Sequence, residues 1–253
     1  MTANPITWGV IPEGTLDRVV VFSPHFDDAA LGAAHLLGAH PGSIVVTVFG
    51  GPPPEYPDPP TEWDALGGFR PGDDVVALRR EEDRAAMAVL GARPIWLNFV
   101  DYQYLPPEAR AAPATIADVL ARVLEKSRPT AVFLPMGLAN PDHVATHEAG
   151  MLLAPHQRDI TWFCYEDSGY KHIPGMLAWR IAKLFRSDLW PTPMAVPVAV
   201  DHERKRAAIE CYRSQLPPLN RDHALEARLG DRVPEQFWML APPPPGWERL
   251  RDA

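Results

Sequence analysis

The chain has 253 residues, 46% of them hydrophobic and 22% charged, which suits a folded globular protein of one large α/β domain or two small ones. Its formal charge of −8 argues against a nucleic-acid or anionic-membrane surface, and no apolar run approaches the roughly 20 residues of a membrane-spanning helix. Two cysteines, Cys164 and Cys211, make no disulfide framework, so a reducing cytoplasm is the expected setting.

The opening stretch, residues 1–18, lacks a basic start followed by an apolar core and does not read as a secretory leader. "RVVVFSP" (18–24) is the first strand, and "AALGAAHLLGA" (29–39) is the helix after it. "SIVVTVFG" (43–50) is a second strand. The Pro-rich loop 51–72 follows, too long for a mere connection and suited to a lid. A helix over 73–91 closes on Gly91 in C-cap fashion. Strands at 94–99 and 130–135 flank a helix at 113–127, and another helix spans 142–154. "TWFCYE" (161–166) is a fifth strand, with helices near 175–186 and over 202–215 and a Pro-rich tail at 241–253. The strands are continuously apolar rather than alternating, as strands covered on both faces are. This order predicts a single α/β domain with its core over about 17–240. The sheet would be Rossmann-like, doubly wound and mostly parallel, with helices on both faces.

Ligands of such sheets sit outside the carboxyl ends of the strands. Two of those ends carry unexpected polar residues: "SPHFDD" (23–28) and "MGLANPDHVATH" (136–147). A strand order of 3-2-1-4 would set them side by side. Two imidazoles and one carboxylate from His25, Asp27, Asp28 and His143 would make a catalytic Zn²⁺ site with room for water. The remaining aspartate would serve as its base. Plainer roles compete. Asp27 or Asp28 would cap the following helix, and Asn140-Pro141-Asp142 is a sound helix opening. Capping explains the acids but not a histidine in both places. His143 and His147 share a helix face, yet "HVATHE" lacks the glutamate position of zinc proteases. His147 is therefore expected to support the ligands or pack the helix.

"SPHFDDAALG" with "NPDHVATH" resembles the PIG-L/LmbE family of zinc-dependent N-acetylglucosaminyl de-N-acetylases. The resemblance implies metal ligands at His25, Asp28 and His143 and a general base at Asp27. It extends to "RREEDRAAMAVLG", which implies an arginine, Arg79, near the substrate. "NFVDYQY" adds an acid, Asp101, that would anchor sugar hydroxyls, and "WFCYEDSGY" is similar to a stretch in one bacterial branch. Asp142 and His147 would stand behind the ligands. Two positions depart from the family pattern. Asn140 replaces a histidine credited with oxyanion stabilisation or leaving-group protonation, and Leu138 replaces a tyrosine of some members. An asparagine amide donates a hydrogen bond to an oxyanion but not a proton.

The function expected is hydrolysis of the N-acetyl group of a small amino-sugar conjugate, with Zn²⁺ as cofactor and Fe²⁺ or Co²⁺ tolerated by the same donors. The competing expectation is a sugar- or metal-binding protein that has lost hydrolysis; Asp27, useless to a binding protein, separates the two. No G-x-G-x-x-G follows the first strand, which argues against a dinucleotide site. Two residues with bland alternatives are Arg79, which would otherwise pair with Glu82 or Asp83, and Asp101, otherwise a turn residue. Trp63, Tyr102 and Tyr104 would stack on a sugar or be buried, and Glu166 and Asp167 are rim candidates.

Overall fold

The computed structural model describes residues 11–187, 189–229 and 235–242. Residues 1–10 and the tail from 243 onward, read above for a leader and a proline-rich end, lie outside the described residues. A seven-stranded sheet runs in the order β3-β2-β1-β4-β5-β7-β6. Its parallel part comprises β1 (Val19–Ser23), β2 (Ile44–Thr47), β3 (Arg93–Trp96), β4 (Ala131–Pro135) and β5 (Thr161–Tyr165). The expected 3-2-1-4 order is therefore present, and β1 lies beside β4 with Val19 opposite Ala131.

Two further strands, β6 (Trp190–Met194) and β7 (Phe237–Ala241), pair antiparallel and extend the sheet beyond β5. Pro191 and Pro193 hide β6 from a sequence reading; proline is tolerated there because β6 is the edge. The doubly wound, mostly parallel sheet is as expected, with an antiparallel pair added.

Period-two alternation sorts each strand between two cores. Val19 and Val21 face the layer of α1 (Asp28–Ala39), α3 (Val75–Leu90) and α7 (His202–Ile209). Val20 and Phe22 face α4 (Pro113–Ser127) and α5 (Pro141–Leu153) together with Leu184 of α6 (Met176–Phe185). Both faces are apolar, which is why "VVVF" shows no polar alternation. The 202–215 helix is corrected: α7 stops at Ile209. Beyond it Tyr212 enters the core, and Ser214 is pinned by the Glu82 carboxylate at 2.8 Å and 2.7 Å. Then α8 (Leu216–His223) and α9 (Leu225–Leu229) begin a small apolar cluster with Leu31.

Helix α1 breaks at Ala33, whose φ of −144° and ψ of 22° are not helical. The break leaves the Leu31 carbonyl to Lys205 Nζ (2.8 Å) and Ser168 Oγ (3.1 Å), and the His35 N–H to the Glu235 carboxylate (3.1 Å). Buried backbone groups need such partners, so the kink draws α7 and the segment before β7 onto α1. Gly32 is required just before it: a Cβ there would lie 2.5 Å from the buried Tyr165 ring. The 51–72 loop folds around a short helix, α2 (Glu62–Leu66), and supplies Trp63 to a cavity wall.

Candidate active site and metal centre

The turn after β1 is organised by Ser23, whose hydroxyl donates to the His25 carbonyl (2.5 Å) and accepts from Ala29 N–H (3.0 Å). Ser23 thus does the capping that the two aspartates were candidates for, and Asp27, the N-cap residue, makes no side-chain cap bond. Asp28 instead accepts the His25 backbone N–H at 2.8 Å. The second strand end is built by a tight turn. Asn140 N–H meets Leu138 O at 2.6 Å around Ala139, which takes a left-handed φ of +54°. Gly137 precedes it with φ +77°, where a Cβ would collide with His147 at 2.5 Å. Asn140 caps α5, its Oδ1 accepting from Asp142 N–H at 2.8 Å, so the bland helix-opening role is real.

That turn brings His143 to His25 across 118 residues of chain, counted from the two residue numbers, with ring centroids 5.3 Å apart. His143 Nε2 and His25 Nδ1 lie 3.2 Å and 3.3 Å from the same oxygen, Asp28 Oδ2. Metal–ligand bonds of about 2.0–2.1 Å at tetrahedral angles place neighbouring donors about 3.3 Å apart, so the spacing suits one transition-metal ion. His25, Asp28 and His143 each offer a ligand atom within 4.8 Å of the others.

The electrostatics fit as well. Burial opposes charge on His143, but Asp28 and Asp167 outweigh it and lift its pKa to about 9. Burial likewise opposes charge on His25, and Asp101, Asp142 and Asp28 raise it nonetheless. Asp28 is held far below the usual range, burial being overcome by the two imidazoles. The cage is starved of positive charge, which a divalent cation provides while leaving both imidazoles neutral. The outer nitrogens are fixed by carboxylates: Asp167 Oδ1 lies 2.6 Å from His143 Nδ1, and Asp142 Oδ2 lies 3.1 Å from His25 Nε2.

Asp27 is the different carboxylate. It is buried at the cavity wall, and burial together with the Asp28 charge pushes its pKa up to about 7. Asn140 and Tyr170 line the same cavity, the Asn140 amide donating to Tyr170 Oη at 3.2 Å. The Tyr170 ring stands edge-on to His143 at 5.1 Å.

Other expectations are placed less simply. Arg79 lines the cavity but is buried and paired with Asp64 at 2.8 Å rather than with Glu82 or Asp83. Asp101 lies at the wall with Oδ2 4.0 Å from His25 Nε2, while its Oδ1 accepts from Gln103 N–H in a turn. His147 is not brought to the ligands. Its Nδ1 meets the Pro135 carbonyl at 2.9 Å, and burial with nearby Arg180 lowers it to about 3, so it is a neutral packing residue at neutral pH. Trp63, Tyr102 and Tyr104 all reach the cavity, and Tyr104 Oη also holds Asp64 at 2.7 Å. Asp167, first read as a rim candidate, is instead buried behind His143 and also accepts Leu138 N–H. Tyr170, Gln215 and His223 were not anticipated as cavity residues; nothing in their local sequence marks them for the cavity, which the fold assembles from separate segments.

The chain is similar to known proteins in sequence and fold. Among solved structures, the chain is 26% identical to the antimicrobial pseudoaglycone deacetylase Dbv21, with a TM-score of 0.69 over 89% of this chain and 98% of that one. It is 24% identical to the zinc-inhibited form of teicoplanin deacetylase Orf2 (TM-score 0.70; 90% and 100% covered). It is 19% identical to the N,N'-diacetylchitobiose deacetylase of Pyrococcus horikoshii (TM-score 0.53; 89% and 84% covered), a likeness of fold. The family model of PIG-L, GlcNAc-PI de-N-acetylase, matches residues 20–154, more than half of the chain and both strand-end motifs. The chain therefore belongs to the PIG-L, GlcNAc-PI de-N-acetylase, family.

Proposed function

We propose that this protein is a metal-dependent hydrolase that removes the acetyl, or another acyl, group from the amine of an N-acetylglucosamine-type sugar conjugate. The observation that carries the reading is Asp27: a buried carboxylate of raised pKa, free of a capping bond, beside a His-Asp-His cage. His25, Asp28 and His143 are the residues that would hold the ion, Zn²⁺ being the best match to the donors. What the bound cation supplies is Lewis acidity, making the amide carbonyl more electrophilic and a water more acidic.

The rest is the work of the chain's own groups. Asp27 takes the proton of the attacking water and returns it to the departing nitrogen, so that acetate and a free amine leave. The Asn140 amide, one hydrogen of which is fixed on Tyr170, has its second N–H for the developing oxyanion. Asp142 and Asp167 hold the two imidazoles in orientation. Asp101 accepts from sugar hydroxyls, Trp63 and Tyr102 flank the ring, and Arg79 acts through Asp64 to fix the wall that Tyr104 also braces.

The test is metal analysis of wild type and Asp27→Ala, paired with amine release from a panel of N-acetyl sugars. Equal metal in both, with amine from wild type alone, is the expected result. Metal-loaded wild type that releases amine from no member overturns the reading in favour of a binding protein.

A further inference from the structure

Helix α6 carries a buried charge. Arg180 is 1% exposed, yet among the described residues it makes no ion pair, and its Nε has no hydrogen-bond partner. A guanidinium taken out of water needs a strong partner. Burial opposes its charge, and two carboxylates, Glu148 and Asp167, favour it. Glu148 is exposed at the surface and paired with Lys183 at 3.2 Å. Asp167 is buried and stands on the other side of a single peptide group.

That peptide joins Gly137 to Leu138, in the turn that delivers Asn140 and His143. Its carbonyl, Gly137 O, accepts a short hydrogen bond from Arg180 Nη2, and its N–H, on Leu138, donates to Asp167 Oδ2 at 3.0 Å. The other carboxylate oxygen, Asp167 Oδ1, lies 2.6 Å from His143 Nδ1. Guanidinium, peptide, carboxylate and imidazole thus form one unbroken line that ends on a cage residue. A peptide held at its two ends by opposite charges is polarised, and each bond of such a line strengthens the next. Glycine lets the guanidinium reach: a Cβ at Gly137 would stand 3.2 Å from Arg180 Nη2. His147, the other titratable group against the turn, is neutral at neutral pH and brings no rival charge.

We propose that Arg180 is a positioning residue of the metal centre: through the Gly137–Leu138 peptide it fixes the Asp167 carboxylate, and through Asp167 it fixes the His143 ring and with it the affinity of the cage for a cation. The inference rests on His143 as a ligand in the hydrolase reading and deepens it, by naming a determinant of metal binding that lies outside the cavity.

The test is the Zn²⁺ affinity of the full chain, read by competition with a chromophoric chelator. Asp167→Asn should weaken Zn²⁺ binding about 10–100-fold and Arg180→Gln about tenfold, the scale of groups that orient a ligating histidine. The double variant should bind no worse than Asp167→Asn alone, because Arg180 acts through that carboxylate. Lys183→Gln, one turn along the same helix and outside the line, leaves the affinity as in wild type. An unchanged Kd in Arg180→Gln, or losses that multiply in the double variant, overturns the proposal. Arg180→Lys keeps the charge without the planar fork and should lose less than Arg180→Gln. It carries the same cycle where Arg180→Gln does not fold. Wild type that binds no Zn²⁺ tells against the metal centre instead. The line is then read without metal from the proton resonance of His143 Nδ1–H: a shift in Arg180→Gln but not in Lys183→Gln supports the proposal, and an unmoved resonance overturns it.

Discussion

Asp27 and Asp28 are neighbours in the chain and opposites in acidity. Two imidazoles surround Asp28 and keep it ionised; burial and the charge of Asp28 lift Asp27 to about 7. In the proposed reaction Asp27 is the base and works only when ionised, so kcat/KM is expected to rise with pH through its pKa. A cation in the cage draws that pKa down, and the acidic limb of the profile is expected below pH 7. Asp27→Asn should remove the limb with a loss of about 10²–10⁴-fold, checked by kcat/KM from pH 5 to 9. Asn140 has two duties, and they separate. Its Oδ1 caps α5, worth about 1 kcal/mol of stability, while in the proposed reaction its amide N–H serves the oxyanion. Asn140→Ser keeps a capping oxygen and loses the amide donor. Its melting temperature should stay within a few degrees of wild type while kcat falls by about 10²-fold. The cage was legible in sequence because histidine at two strand ends has no capping explanation. Asp167 was half legible, as an acid two residues past the end of β5, but its partner is chosen by a turn of the backbone that only the fold supplies. Tyr170 lay at the end of the "WFCYEDSGY" stretch, but its role was not legible, since nothing local ties a loop tyrosine to Asn140.

At the scale of elements, α3 shows how a buried acid makes stability depend on pH. Asp83 is buried on that helix and accepts from Trp96 Nε1 at 2.6 Å and Tyr212 Oη at 2.8 Å, joining β3 to the segment after α7. Burial wins over those bonds and raises its pKa from 3.8 to about 6. Between these values the folded chain keeps a proton that the unfolded chain releases, so stability falls as pH rises across that window. The shift is worth on the order of 3 kcal/mol once pH exceeds 6. Asp83→Asn should remove this slope, and the urea midpoints of variant and wild type, compared at intervals from pH 4 to 7, should diverge in the variant's favour as pH rises. An unchanged difference across that range would contradict the assignment. The same neighbourhood explains why the 202–215 helix was misread: its polar spacing continues past Ile209, but Tyr212 must turn inward to reach Asp83. The strands β1, β2, β4 and β5 were legible because both their faces are largely buried, while the half-buried edge strand β3 was read from its apolar Ile95 and Trp96. By contrast, β6 carries two prolines that only an edge position accommodates.

Across the whole molecule, the site sits where the strand order β3-β2-β1 reverses into β4-β5, so the loops leaving β1 and β4 part to opposite faces and open a crevice between them. His25 and Asp28 stand on one side of that crevice and His143 on the other, with Asp167 bracing from β5. A cation binding all three ties together segments that the sheet alone holds only at their strand ends. Binding to the folded chain alone adds stability of RT ln(1 + [L]/Kd), about 2.7 kcal/mol when the free metal is a hundredfold above Kd. For a chain of this size that corresponds to a rise in melting temperature on the order of 5–10 °C. Zinc-loaded protein should therefore melt above chelator-treated protein, and calorimetric scans of wild type, Asp27→Asn and His143→Ala separate the contributions. Asp27→Asn, which keeps all three ligands, should retain the metal-dependent rise, and His143→Ala should lose most of it. A rise of equal size in His143→Ala would mean that the metal binds elsewhere, and the crevice at the strand reversal would then not be the centre of the chemistry.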